Sequence, residues 1–172
     1  MGGQGGDDFQ LVCPDGQVLV GVRARTGDVV DRVQAICRPL VLTFVGATYT
    51  ITTGGPTTTT GTAGGEGGRE VAVMCSTFVA ELFVWRENMT LDTVVSGLRI
   101  TCGRVSWQDR PFVSSLCPSA TDTHTIGQIG ANDGLGGRYG CDCSSFAKGL
   151  YGRSGTVVDA LGISCQDARL DY

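Results

Sequence analysis

Three copies of one ten-residue phrase, each closing on a cysteine, limit what this chain can fold into. They read DVVDRVQAIC over Asp28–Cys37, TVVSGLRITC over Thr93–Cys102 and TVVDALGISC over Thr156–Cys165. The closing cysteines are 65 and 63 residues apart (102 − 37 and 165 − 102). Such self-similarity means one supersecondary unit built three times, each burying its apolar face against the others around a pseudo-threefold axis. Within the phrases, Val33, Ala35 and Cys37, then Leu98, Ile100 and Cys102, then Leu161, Ile163 and Cys165 alternate with other residues. That is the period of a strand with one buried face. Upstream of the first phrase, Val18, Val20, Val22 and Ala24 share one face and Arg23 and Arg25 the other. Each unit is therefore expected to end in a hairpin whose inward residues meet near the axis.

Glycine makes up 27 of the 172 residues, and no stretch carries a helical apolar period. An all-β domain rich in tight turns follows; the repeat count suggests three sheets, while periodicity alone also fits a trefoil or a sandwich. Its three repeats run over about 1–40, 63–103 and 104–166 of a single domain spanning 1–172. Leu40–Ile51 is β-branched and aromatic and reads as strands; 52–62 reads as a turn-rich, solvated loop, its run of threonines alternatively marking O-glycosylation or a polar exposed β-edge. The formal net charge of −4 and the lack of a basic run argue against a nucleic-acid partner. No run reaches the roughly 20 apolar residues of a membrane span.

Eight cysteines in a chain of this kind point to an oxidising compartment and four disulfides. Cys13 and Cys37 are 24 residues apart, Cys141 and Cys165 also 24, and Cys75 and Cys102 are 27. The repeat therefore pairs these six, leaving Cys117–Cys143 by elimination. Each bridge is expected to stabilise by about 2–4 kcal/mol. Cys141-Asp142-Cys143 lacks a second cysteine pair at zinc spacing and His124 is the single histidine, so neither a metal nor a cofactor is expected. Met1-Gly2-Gly3 opens no apolar signal segment. The expectation is a secreted or extracellular protein whose leader has been removed, or one domain of a longer chain. Asn88-Met89-Thr90 is a glycosylation acceptor if the source is a eukaryote.

Gly149–Cys165 reads GLYGRSGTVVDALGISC, which resembles the closing segment of the jacalin-related lectins. In that family a Gly-aromatic-x-Gly-Arg-Ser-Gly-x-x-x-Asp stretch ends the domain. Gly27-Asp28-Val29-Val30-Asp31 resembles the second such loop of members with two sugar sites. Gly2-Gly3-Gln4-Gly5-Gly6 and Gly64-Gly65-Glu66-Gly67-Gly68 resemble the family's Gly-Gly-x-Gly-Gly loops. The resemblance implies a β-prism I fold: three antiparallel sheets with pseudo-threefold symmetry, here stabilised by disulfides. The cysteines, and Asp92–Cys102, are more similar to the vitelline membrane outer layer proteins, which share the prism.

The resemblance implies a carbohydrate-binding lectin for mannose- or glucose-type glycans. Its residues would be Asp159 with the backbone of Gly155, Thr156, Val157 and Val158, beside Gly2 and Gly3. A second set is Asp31 with Gly27, Asp28, Val29 and Val30, beside Gly64 and Gly65 or Gly67 and Gly68. The chemistry suits a pyranose: a carboxylate accepts from two adjacent hydroxyls at once, and loop N–H groups donate to the same oxygens. The competing reading of each Asp is a turn residue bonding its own backbone. In the middle copy Asp92 stands at the position of Gly27 and Gly155, and Ser96 at that of the Asp, so no sugar is expected there. The site loops carry Thr156-Val157 and Asp28-Val29 where many members place aromatics. Trp85 and Trp107 are either stacking platforms or sheet-face residues. Isolated His124 and the lack of paired carboxylates argue against an enzyme. The expected partners are glycans or glycoproteins, with a homo-oligomer allowed. The alternative is an extracellular structural, coat or adhesion protein that uses the prism without binding sugar.

Overall fold

The computed structural model describes residues 5–45, 48–89, 92–103, 105–108, 124–142 and 145–167. The described elements are β1 (Asp7–Val12), β2 (Gln17–Thr26), β3 (Val30–Val45), β4 (Thr48–Thr53), β5 (Thr58–Thr59), β6 (Ala63–Gly64), β7 (Arg69–Met74), β8 (Phe78–Asn88), β9 (Thr93–Gly103), β10 (Val105–Gln108), β11 (His124–Gly130), β12 (Leu135–Gly140), β13 (Ser145–Ser154) and β14 (Val158–Asp167). Among the described residues they form three antiparallel sheets, the arrangement of a β-prism. No described helix is long and apolar enough to cross a membrane.

Each sheet is centred on one hairpin that carries a copy of the phrase: β2–β3, β8–β9 and β13–β14. The sheets are completed by strand exchange. β7 pairs with β2, β12 with β8, and β1 with β13, each joining a hairpin to a strand from elsewhere in the chain. These pairings tie the three hairpins to one another.

The symmetry extends to irregularities. In every hairpin the register shifts opposite the closing cysteine, between Leu19 and Gly21, Val79 and Glu81, and Ala147 and Gly149. It shifts again at the loop end, at Arg25/Thr26, Trp85/Arg86 and Arg153/Ser154. A bulge adds a residue to one strand and turns the side chains beyond it to the other face. This corrects the expected single face for Val18, Val20, Val22 and Ala24. Leu19, Val22 and Ala24 enter the main core with Val33, Leu82, Leu98, Leu150 and Leu161. Val18 and Val20 join a second cluster with Ile36, Ile51, Phe78 and Phe146.

Of the readings of the threonine-rich stretch, the polar β-edge holds over the solvated loop. β5 pairs with Ile36 and Cys37, and β6 with Arg32 and Val33. The Thr60 N–H donates to Ala35 O at 3.1 Å, and the Ala35 N–H donates to Thr60 Oγ1 at 3.1 Å. These short pieces cover what would otherwise be an exposed edge of β3, which explains why the chain stays extended there. Beyond Pro39, β3 continues and pairs with β4, which in turn pairs with β10.

Three disulfides close the hairpins: Cys13–Cys37, Cys75–Cys102 and Cys141–Cys165, with Cα–Cα distances of 5.7, 5.5 and 5.6 Å. The first two are buried, whereas Cys165 is exposed. Cys117 and Cys143 lie outside the described residues, as does Thr90 of the glycosylation acceptor.

Candidate functional site

Strand exchange decides which glycine turn meets which hairpin loop. The turn before β7 lies on the β2–β3 loop, and the turn before β1 lies on the β13–β14 loop. Asp31 sits at the start of β3 beneath the first of these turns. A Cβ on Gly67 would overlap Asp31 Oδ1 and stand 2.9 Å from Asp31 Cγ, so only glycine lets the turn reach the carboxylate. Gly68 follows with φ +62° and packs on Thr26 and on Asp31 Oδ2. Arg25 fastens this turn: its Nε donates to Gly67 O at 2.7 Å and its Nη2 to Gly68 O at 2.8 Å.

The Asp159 site repeats this design. A Cβ on Gly5 would stand 3.0 Å from Asp159 Oδ1, and Gly6, at φ +65°, packs on Ser154 and the Gly155 N–H. Arg153 Nε donates to Gly5 O at 3.0 Å, Nη2 to Gly6 O at 2.6 Å, and Nη1 to Asp8 Oδ1 at 2.9 Å. Both hairpin loops close with the same bond. Gly27 N–H donates to Val29 O at 3.1 Å, and Gly155 N–H to Val157 O at 3.0 Å.

Neither acid stands as an open loop tip, Asp31 being half-buried. Asp159 is only 6 % exposed, and one oxygen each of Asp31 and Asp159 (Oδ2) is buried without a hydrogen-bond partner. The cause is the close approach of the glycine turns, which cover the acids from the solvent side. Burial pushes the Asp159 carboxyl above its ordinary value of 3.8, and the nearby Asp92 pushes it further. The Gly155 N–H, the Arg153 guanidinium and its own N–H pull the other way.

The remaining residues named from sequence divide by role. Gly27, Asp28, Gly155 and Thr156 are exposed at the loops, Val29 and Val157 are half-buried, and Val30 and Val158 are core residues with 0 % exposure. Gly64 and Gly65 face the backbone of Asp31 rather than its carboxylate, Gly65 N–H donating to Asp31 O at 2.8 Å. The carboxylate belongs to Gly67 and Gly68. Gly65 also packs on the backbone of Thr156, which places both loops at one end of the prism. Gly2 and Gly3 lie outside the described residues.

Copy two lacks these parts. The register sets Trp85 where the other hairpins have Arg25 and Arg153. Ser96, at the position of the acid, is fully buried and donates to Asp133 O at 3.2 Å. Asp133 precedes Gly134 (φ +94°), where Gly67 precedes Gly68. Asp92 instead turns toward Gly5 and accepts from the Thr93 N–H at 2.8 Å. Trp85 is a sheet-face residue, its ring 4.7 Å from Phe83 with the Arg99 guanidinium 5.4 Å from the Trp85 centroid. The side chain of Trp107 lies outside what is described.

The arginines were not among the site residues read from sequence. Their signal was present: Arg-Thr-Gly-x-x-x-Asp over Arg25–Asp31 and Arg-Ser-Gly-x-x-x-Asp over Arg153–Asp159.

No family model matches the sequence, and no characterised protein matches it at the sequence level. Solved structures do match. The lectin of Malaysian banana aligns with a TM-score of 0.60 at 19 % identity, over 98 % of this chain and 95 % of that one. A mannose-binding jacalin-related lectin from Ananas comosus aligns at 0.58 and 18 %, over 97 % and 94 %. Frutapin, a lectin from Artocarpus incisa, aligns at 0.63 and 14 %, over 96 % and 92 %. The chain thus has the β-prism I fold of the jacalin-related lectins along nearly its whole length.

Proposed function

We propose that this chain, a β-prism of the jacalin-related kind, binds mannose- or glucose-type glycans through the loops of Asp31 and Asp159. The observation that carries the reading is the twofold occurrence of one assembly: an Arg-fastened glycine turn laid over the Asp of an Arg-x-Gly-x-x-x-Asp loop, missing part by part from the β8–β9 hairpin. A fold needs three closed hairpins; it does not need two of them to keep a buried acid with an unpartnered oxygen. The jacalin-related lectin from Ananas comosus named above is mannose-binding, and one from Morus nigra with the same fold is mannose-specific.

In the bound state the carboxylate accepts from two neighbouring sugar hydroxyls, and the N–H groups of the hairpin loop and glycine turn donate to the ring's oxygens. Because the turns cover the acids, entry of a pyranose entails an outward shift of Gly5 or Gly67. That cost, and the lack of a stacking aromatic in either loop, makes each site weak. Two loops at the same end gain by avidity on a branched or clustered glycan.

A glycan array at high protein density, followed by isothermal titration of methyl α-mannoside into wild type and Asp159→Ala, tests the reading. Equal heats for the two proteins would remove Asp159 from the site. An array without binding, together with self-assembly in solution, would favour the coat or adhesion role.

A further inference from the structure

We propose that a cavity on the outer face of the β2–β3–β7 sheet is an oxyanion subsite, extending the Asp31 site toward acidic glycans that carry sulfate or carboxylate. The inference rests on the reading of the Asp31 loop as a sugar site. The cavity, about 40 Å³, is lined by Arg23, Arg25, Arg32, Gln34, Thr62 and Glu70. It has room for one small oxyanion or a few waters.

Three arguments point to an anion. First, the Nε–H groups of Arg23 and Arg32 are buried without an acceptor. A buried guanidinium donor without a partner is costly, and an oxyanion supplies what it lacks. Second, the positive charge is incompletely answered. Arg32 pairs with Glu66, and Arg23 lies 3.9 Å from Glu70, beyond hydrogen-bond reach. Both carboxylates are well exposed and free to swing into solvent. Arg25 is bonded to the Gly67 and Gly68 carbonyls and has no carboxylate partner among the described residues.

Third, the scaffold does not require these residues. The position of Arg23 is held by Phe83 and Tyr151 in the other hairpins, and that of Arg32 by Gly97 and Ala160. Among the described residues, Arg23, Arg25 and Arg32 gather around one cavity on this sheet face, in a chain whose net charge is −4. The cavity adjoins the Asp31 site through shared residues. Arg25 lines it while holding the turn over Asp31, and Arg32 follows Asp31 in sequence. An acidic group on a sugar at Asp31 therefore has donors beside it, and its charge strengthens each bond.

The test uses matched pairs of mannose-type glycans with and without one sulfate or one uronic acid, titrated into wild type and Arg23→Gln. Arg23 holds neither glycine turn, so the variant keeps its affinity for the neutral member. Wild type should prefer the acidic member by about tenfold, a preference lost in the variant and eroded by salt. Equal binding of both members by wild type, or a preference kept by Arg23→Gln, would overturn the subsite. Neutral binding without preference rejects the subsite alone. Arg23-dependent binding of only the acidic member rejects the neutral-sugar reading alone, and binding of neither rejects both. Titration with inorganic sulfate, followed at the arginine Nε–H resonances, gives an independent readout: Arg23 and Arg32 should shift, and silence there counts against the subsite.

Discussion

Replacing Asp159 by Asn should make the protein more stable while removing one sugar site. The acid is 6 % exposed, with an oxygen that accepts no hydrogen bond and a second carboxylate, Asp92, close enough to raise its pKa. Leaving such an oxygen buried and unpartnered costs about 1–3 kcal/mol. Against this, the ionised acid gains attraction to Arg153, whose side chain is 38 % exposed and already bonded elsewhere; that contribution is below about 1 kcal/mol. The amide keeps an acceptor for the Gly155 N–H and brings a donor for Asp92. The net gain is about 1 kcal/mol, or about 2–4 °C in Tm for a chain of this size. The pH dependence identifies the cause. Below the ordinary value of 3.8 the wild-type acid is protonated folded and unfolded, and the two proteins should melt together. As pH rises from there through the raised folded-state value, the folded state binds more protons than the unfolded one, and wild type loses stability relative to the Asp159→Asn variant. Above that window the difference is constant. Thermal melts of both proteins from about pH 3 to about pH 8, a range that brackets the carboxyl titration, measure it. A variant less stable at neutral pH, or a difference that ignores pH, would refute the argument that the acid is held at a cost.

Gly67→Ala should weaken sugar binding at the Asp31 loop by about tenfold or more and spare the Asp159 loop, because the new Cβ displaces the Asp31 carboxylate; titration of each site in single-site variants reads this. Ser96→Asp should not create a third site. It buries a charge against the Asp133 carbonyl and is expected to cost about 3 kcal/mol, seen as a lower denaturation midpoint with no added sugar binding. Under mild reduction, Cys165 should be alkylated before Cys37 or Cys102, since the Cys141–Cys165 bridge is exposed at Cys165 while both cysteines of the other two bridges are buried; mass spectrometry after timed quenching decides the order.

Much of this architecture was legible because side-chain period and cysteine spacing are local properties that repeat. The closing phrases located the hairpins and three of the disulfides. What the sequence could not show depends on which distant backbone approaches. Gly64-Gly65-Glu66-Gly67-Gly68 offers two glycine pairs, and nothing local tells which faces Asp31. The pairing of β7 with β2 decides it, by leading the chain across the loop immediately after Gly68. The burial of Asp159 has the same origin in the turn before β1. The bulges at Val20, Ala80 and Lys148 have no common residue type, so the change of face they impose on Val18 and Val20 could not be read from alternation. Arg25 and Arg153 were legible at a fixed distance before each acid, but their partners are carbonyls, which no side-chain pattern reports.

Backbone amide NMR during titration with methyl α-mannoside tests the central claim most directly. The account predicts two groups of shifting resonances, one over Gly27–Asp31 with Gly67 and Gly68, the other over Gly155–Asp159 with Gly5 and Gly6, while Thr93–Ser96 stays still. Silence in both groups at high sugar concentration, or movement of the Thr93–Ser96 loop in their place, would contradict it.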